Sequence, residues 1–157
     1  MKRQPRALDP KQVPERRGSS YPEPYRAQVE ARSKRPLGDA LGLCQFGVNL
    51  VTLPPGCWSS QRHWHSHEDE FVYMLEGELV LVTDAGEQVL GAGMAAGFPA
   101  GRPDGHHLVN RGDRPASFLV VGTRATGQDE TFYPDIDLEV RVRDGREVYV
   151  RRNGEPY

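Results

Sequence analysis

The sequence predicts an all-β domain, a sandwich or closed barrel, carrying an irregular N-terminal arm and a C-terminal β-hairpin. Three observations lead there. Among 157 residues there are 17 Gly and 13 Pro but only 8% aromatics, a balance that favours many turns and short strands over long helices. From Ala40 onward a Gly or Pro stop follows each short apolar run, at the spacing of roughly 8–12 residues seen in sandwiches and barrels. No internal repeat of about 20–50 residues is present, which excludes a duplicated, two-barrel architecture.

The arm is set apart by charge and proline. The chain carries a formal charge of −2, yet residues 1–36 hold ten basic residues (Lys2, Arg3, Arg6, Lys11, Arg16, Arg17, Arg26, Arg32, Lys34 and Arg35) against four acidic ones (Asp9, Glu15, Glu23 and Glu30). Everything after Pro36 is correspondingly acidic. Six of the 13 prolines (Pro5, Pro10, Pro14, Pro22, Pro24 and Pro36) also fall there. Proline fixes φ and removes a backbone donor, so the arm should be extended or irregular, with at most a short helix near Tyr25–Arg32. Such a basic tract suits nucleic acid, but no recognition-helix pattern accompanies it. The expectation is an arm that wraps over its own acidic barrel or a neighbouring subunit.

The strands follow in order. Leu43–Leu53 alternates, with Phe46, Val48 and Leu50 on one face, and stops at Pro54-Pro55-Gly56. Glu70–Leu75 ends at Glu76-Gly77, and Glu78–Thr83 turns through Asp84-Ala85-Gly86 into Glu87–Leu90, a short hairpin signal. Gly91-Ala92-Gly93 leads into Met94–Phe98, Pro99-Ala100-Gly101 turns again, and His106–Asn110 and Ser117–Gly122 complete the set. Beyond a loop, Val140–Arg143 and Arg146–Val150 flank Asp144-Gly145, a pair suited to the positive φ of a type I′ turn. The organisation expected is a Pro-rich basic arm over residues 1–36, a barrel domain over 37–125 and an extension with the hairpin over 126–157. No apolar run approaches the ~20 residues of a membrane span. Met1-Lys2-Arg3-Gln4-Pro5-Arg6 lacks the apolar stretch of a secretory signal. Two cysteines, Cys44 and Cys57, are too few for a disulfide framework and read as buried small hydrophobes in a reduced, cytoplasmic protein. Thiolate ligation by Cys57 stays open.

All five histidines lie in two clusters, His63, His65 and His67, then His106 and His107. Side chains at i, i+2 and i+4 of a strand share a face, so the first cluster stacks imidazoles on one side. Glu68, Asp69 and Glu70 follow at once, and a turn between strands returns Glu70 to the histidine face. His106 or His107 supplies a further imidazole from a later strand. A mixed imidazole and carboxylate set suits one divalent transition metal, Fe, Mn, Ni, Cu or Zn.

Here the sequence resembles the cupin superfamily. The motif G-x5-H-x-H-x3,4-E-x6-G is met by Gly56, His63-Trp64-His65, Glu70 and Gly77, with six residues instead of five after Gly56. The spacing selects His63 and His65 over His67, which becomes a rim residue. The motif G-x5-P-x-G-x2-H-x3-N is met by Gly93, Pro99, Gly101, His106 and Asn110, with four residues between Gly101 and His106. That insertion shifts the fourth position: His106 keeps the spacing and parity to Asn110, with His107 as the alternative. The resemblance, closest to small single-domain bacterial cupins of the cupin 2 type, implies a jelly-roll double-stranded β-helix. It also implies a metal held by His63, His65, Glu70 and His106, and a homodimer that exchanges arms or edge strands.

Such a site leaves open positions for Lewis-acid chemistry on a small oxygenated substrate, or for oxygen chemistry with a redox metal. The functional expectation is a metal-dependent enzyme of dioxygenase, isomerase or lyase type, with a non-catalytic small-molecule binding or sensing module as the alternative. By alternation Val72 and Met74 should line the pocket, Gln61 should stand at its mouth, and Trp64 and Tyr73 should pack on the opposite face.

Overall fold

The computed structural model describes residues 6–157. Lys2, Arg3 and Pro5, counted in the arm above, lie outside the described residues. The chain runs through β1 (Arg16–Arg17), β2 (Ser33–Pro36), α1 (Leu37–Ala40), β3 (Phe46–Leu53), β4 (Trp64–His65), β5 (Glu70–Glu76) and β6 (Glu78–Thr83). It continues through β7 (Gly86–Gly91), β8 (Ala95–Phe98), β9 (His107–Val109), β10 (Ala116–Thr123), β11 (Thr131–Tyr133), β12 (Leu138–Arg143) and β13 (Arg146–Val150). This is the all-β architecture expected.

Three antiparallel sheets result: six strands in the order β1-β2-β3-β10-β5-β8, four as β13-β12-β11-β4, and three as β7-β6-β9. Their arrangement is that of a jelly roll, although the hydrogen bonding does not close them into a barrel. The six- and three-stranded sheets face each other over one core, in which Leu53, Met74, Leu79, Leu90 and Phe118 are at most 1% exposed. Burying each such side chain contributes roughly 1.5–3 kcal/mol. Met74 belongs to this core rather than to the pocket expected for it, and Cys57 joins it. Cys44, by contrast, is exposed, because its loop turns away before β3 begins.

The arm is more ordered than its prolines suggest. Where at most a short helix was expected, Tyr25–Arg32 forms turns, closed by Val29 N–H to Arg26 O (3.0 Å) and Arg32 N–H to Val29 O (3.1 Å). The chain then straightens into β2, which pairs with β3 of the same chain, Lys34 opposite Val51 and Pro36 opposite Asn49. Pro36 ends the strand, beyond the two residues of β2 that also pair with β1. A second core lies between arm and C-terminal sheet, where Tyr21 and Val29 pack on Tyr133 and Leu138. Gln61 donates from Nε2 to Tyr25 O (3.0 Å), so it is buried beneath the arm, not at the pocket mouth.

Alternation along β3 resolves in an informative way. Asn49 and Gly47 face inward with Val51 and Leu53, so Phe46, Val48 and Leu50 form the outer face. Across β10 and β5 the outer rows continue as Val48–Val121–Phe71 and Leu50–Leu119–Tyr73. Phe71 is 44% and Tyr73 40% exposed. Tyr73 thus points to the face opposite the pocket, as expected, but finds little packing there within one chain.

Candidate metal centre

Four polar residues meet at one end of the cavity because of backbone pairing. His63 and His106 form an antiparallel bridge, His63 N–H to His106 O at 3.2 Å and the reverse at 2.9 Å. That bridge joins the two histidine clusters directly. His65 lies on the two-residue strand β4, held by β11 through its register with Thr131. Glu70 opens β5, opposite Phe98 of β8 and Gly122 of β10.

Three imidazole Nε2 atoms converge on a single carboxylate oxygen, Glu70 Oε2: His106 at 3.1 Å, His63 at 3.6 Å and His65 at 3.6 Å. Two donors about 2.0–2.2 Å from an ion and at right angles to each other stand about 3 Å apart, so these separations fit a divalent ion among the four. The donor atoms of His63, Glu70 and His106 all lie within 4.8 Å of one another, and His65 joins through Glu70.

The back sides of the rings set their tautomers. His63 Nδ1 lies 2.8 Å from Gln61 O, a pure acceptor, and therefore carries the proton. His65 Nδ1 donates to Asp129 Oδ2 at 2.6 Å. With Nδ1 committed outward, both rings leave Nε2 facing the centre, the nitrogen that would offer its lone pair to an ion in place of a proton. His106 is steadied differently: Phe98 stacks on it at 3.5 Å with the planes 1° apart, and its buried Nδ1 has no partner among the described residues.

Asp129 escaped the sequence reading. It comes from the loop before β11, where no spacing or alternation marks it. Its Oδ1 accepts the His67 N–H (2.8 Å) and the Glu68 N–H (3.1 Å), while Oδ2 holds His65. The neighbouring grouping of His65, Glu68 and Asp129 thus uses the outer nitrogen of His65, and it orients that ring from behind. His67 is exposed on this rim, with its Nδ1 beside Ser66 Oγ at 2.7 Å.

The alternative fourth histidine is directed elsewhere. His107 Nδ1 donates to Ser60 O at 2.9 Å, and its ring meets Trp58 edge to face. Cys57 contributes nothing to the cluster; its thiol lies 3.5 Å from Trp58 O. Trp64 stacks on Phe132 with centroids 4.4 Å apart, as its parity suggested.

Electrostatics follow from this packing. Burial opposes the Glu70 charge, but the His106, His63 and His65 rings around it overcome that penalty and hold the carboxyl well below its usual range. Burial works against a charged His65 too, yet Asp129 and Glu70 raise its pKa to about 10. Burial pushes His106 down, with Glu70 opposing. The anionic carboxylate and ring nitrogens form a hard-to-borderline donor set suited to first-row divalent ions.

The cluster forms one end of a cavity of about 460 Å³. Val72 lines it as expected, with Gly47, Asn49, Val120 and Gly122 on the sheet floor. Glu68 and Asp69 reach it beside the histidines, and Arg16, Arg32, Lys34 and Arg124 reach it too.

Comparison with known proteins bears on this geometry. The family model described as "Cupin domain" matches residues 49–122. A crystal structure named as a sugar phosphate isomerase from a cupin superfamily, from Silicibacter pomeroyi, is 48% identical, with 96% of each chain covered and a TM-score of 0.91. A putative sugar phosphate isomerase from Acidithiobacillus ferrooxidans is 30% identical over 81% of this chain and 80% of that one, at a TM-score of 0.73. The polyketide cyclase RemF from Streptomyces resistomycificus is 26% identical over 78% and 79% of the two chains, at 0.59. No functionally curated protein matches this chain.

Proposed function

The chain belongs to the cupin superfamily, and from that premise we propose that it is a metal-dependent isomerase acting on a sugar phosphate. The observation that carries this reading is the convergence of three Nε2 atoms on Glu70 Oε2 at the end of a cavity with three further carboxylates, Asp39, Glu68 and Asp69, on its wall. The likeness to two structures named as sugar phosphate isomerases supports it.

His63, His65, Glu70 and His106 would hold the ion. Bound there, a divalent cation acts as a Lewis acid toward a carbonyl or hydroxyl oxygen. Aldose–ketose interconversion also needs a group that takes a proton from one carbon and returns it to the next. We assign this role to Glu68, which lines the cavity two residues before Glu70. Burial raises its carboxyl toward neutrality, the Ala125 N–H opposes by binding Oε1 at 2.9 Å, and Oε2 is left for the ligand. Val72, Phe98 and Leu108 add apolar surface to the cavity wall.

Metal analysis and deuterium exchange test the reading together. Protein purified without added metal should contain a first-row divalent ion that His63→Ala and Glu70→Ala lose. With aldose phosphates in D2O, wild type should exchange the C2 hydrogen and form ketose, while Glu68→Gln should keep its metal and lose exchange. Equal metal in all variants, or tight sugar phosphate binding with no exchange, would overturn the enzyme assignment. The second outcome would favour a binding or sensing module.

We also propose a homodimer, with a second copy covering the outer rows around Phe71 and Tyr73. Contiguous apolar surface of this kind marks interaction sites. The two cysteines form no disulfide with each other, in keeping with a cytoplasmic setting. No helix among the described residues is long and apolar enough to cross a membrane.

A further inference from the structure

The proline-rich arm ends in a strand whose inward side chains are cationic. Lys34 on β2 stands in register with Arg16 of β1 on one side and Val51 of β3 on the other. Val51 and its β10 partner Phe118 point into the core, so by strand alternation Lys34 points into the cavity. Glu70 lies on the same concave face, three strands away and four register positions along. Three strand spacings and four residues of rise put the two backbone positions roughly 20 Å apart across the sheet, a span that the side chains at either end shorten. The floor between is made of small or short side chains, Gly47, Asn49, Val120 and Gly122. Such a chamber fits an elongated ligand with unlike ends.

The cations at the far end are not held in ion pairs. Arg16, Arg32 and Lys34 form no ion pair among the described residues. Arg32 is pinned instead by its guanidinium to Ser59 O. Burial lowers the Lys34 pKa, Arg32 and Arg16 lower it further, Asp39 opposes, and Arg124 adds to the lowering. The carboxylates that share this cavity are engaged elsewhere. Asp39 pairs with Arg124, Glu68 Oε1 accepts from Ala125 N–H, and Asp69 Oδ1 accepts the Ala100 N–H at 2.8 Å. Three positive side chains outside any ion pair among the described residues, lining one cavity, suit a dianion better than a single carboxylate.

We propose that Lys34, Arg32 and Arg16 of the N-terminal arm form the phosphate subsite of this cavity, so that the arm determines specificity for phosphorylated over free sugars. The proposal rests on the sugar phosphate reading above for its substrate, and adds which residues recognise the phosphate. Asn49, whose amide makes no hydrogen bond among the described residues, lies between the two ends and is placed for a sugar hydroxyl.

Calorimetry on the full-length, metal-loaded protein tests it with three probes: a pentitol 5-phosphate, the free pentitol and the matching pentonate. Wild type should bind the phosphate at least tenfold more tightly than the other two. Lys34→Met should erase about tenfold or more of that advantage, the scale of one charged hydrogen bond. Lys34→Arg should restore most of it, with metal content and thermal midpoint unchanged in both. Should Lys34→Met fail to fold, Arg16→Gln at the sheet edge should show a smaller loss of the same kind. Equal binding of all three probes, or an advantage unaltered in the folded variants, would overturn the proposal. Preference for phosphate without C2 exchange sinks only the isomerase reading, and exchange without that preference sinks only this subsite.

Discussion

At the scale of single residues, the most consequential contact is Asp129 behind His65. A carboxylate that accepts from Nδ1 fixes the tautomer, and Asp129 does so while two backbone N–H groups hold it still. Asp129→Asn should keep the fold, because an amide oxygen still accepts from His67 and Glu68. It should weaken metal affinity by about 10–100-fold, the usual effect of losing such a partner; competition with a chromogenic chelator measures this. Unchanged affinity would show that His65 orients itself. The histidines and Glu70 were legible in the sequence because strand parity and motif spacing are local. Asp129 was not, since 64 residues separate it from His65 and no periodicity ties its loop to β4. Lys34 was visible only as one charge in a basic tract, and its direction depended on pairing with β3.

At the scale of elements, turn chemistry decides what can be read in advance. The β12–β13 hairpin forms as Asp144-Gly145 dictates, with φ of 51° and 72°, and β6–β7 closes at Gly86. Gly77 shows the same logic under tighter constraint. Its φ is 77°, and an added Cβ would come within 2.9 Å of Ala116 Cα and Pro115 O, both at the entry to β10. Gly77→Ala should therefore cost about 1–3 kcal/mol for the backbone conformation and more for the clash, lowering the denaturant midpoint relative to wild type. A midpoint within error of wild type would mean the β5–β6 corner can shift. Asn110, the last position of the second motif, is likewise a corner residue: its Nδ2 donates to Leu53 O and Arg114 O, and Oδ1 accepts from Gly112 N–H. What local chemistry did not reveal is β1, β2 and β11, whose two to four residues become strands only because a partner edge is waiting.

Across the whole molecule, the six-stranded sheet has two unlike faces. One is the floor of the cavity, and the other displays Phe71, Tyr73 and the rows beside them. Light scattering after size exclusion should give the mass of two chains for wild type and of one for Phe71→Lys with Tyr73→Lys, with metal content retained. A monomeric wild type would remove the dimer. The two ends of the chain are also clasped to each other: Tyr21 packs edge-on against Tyr133 and beside Tyr149, and Ser20 Oγ meets Tyr149 Oη at 2.9 Å. During translation the residues around Tyr21 leave the ribosome more than a hundred positions ahead of the tyrosines that seat them. The stretch that leads into Arg32 and Lys34 thus seats its aromatic side chain only once residues more than a hundred positions later have emerged.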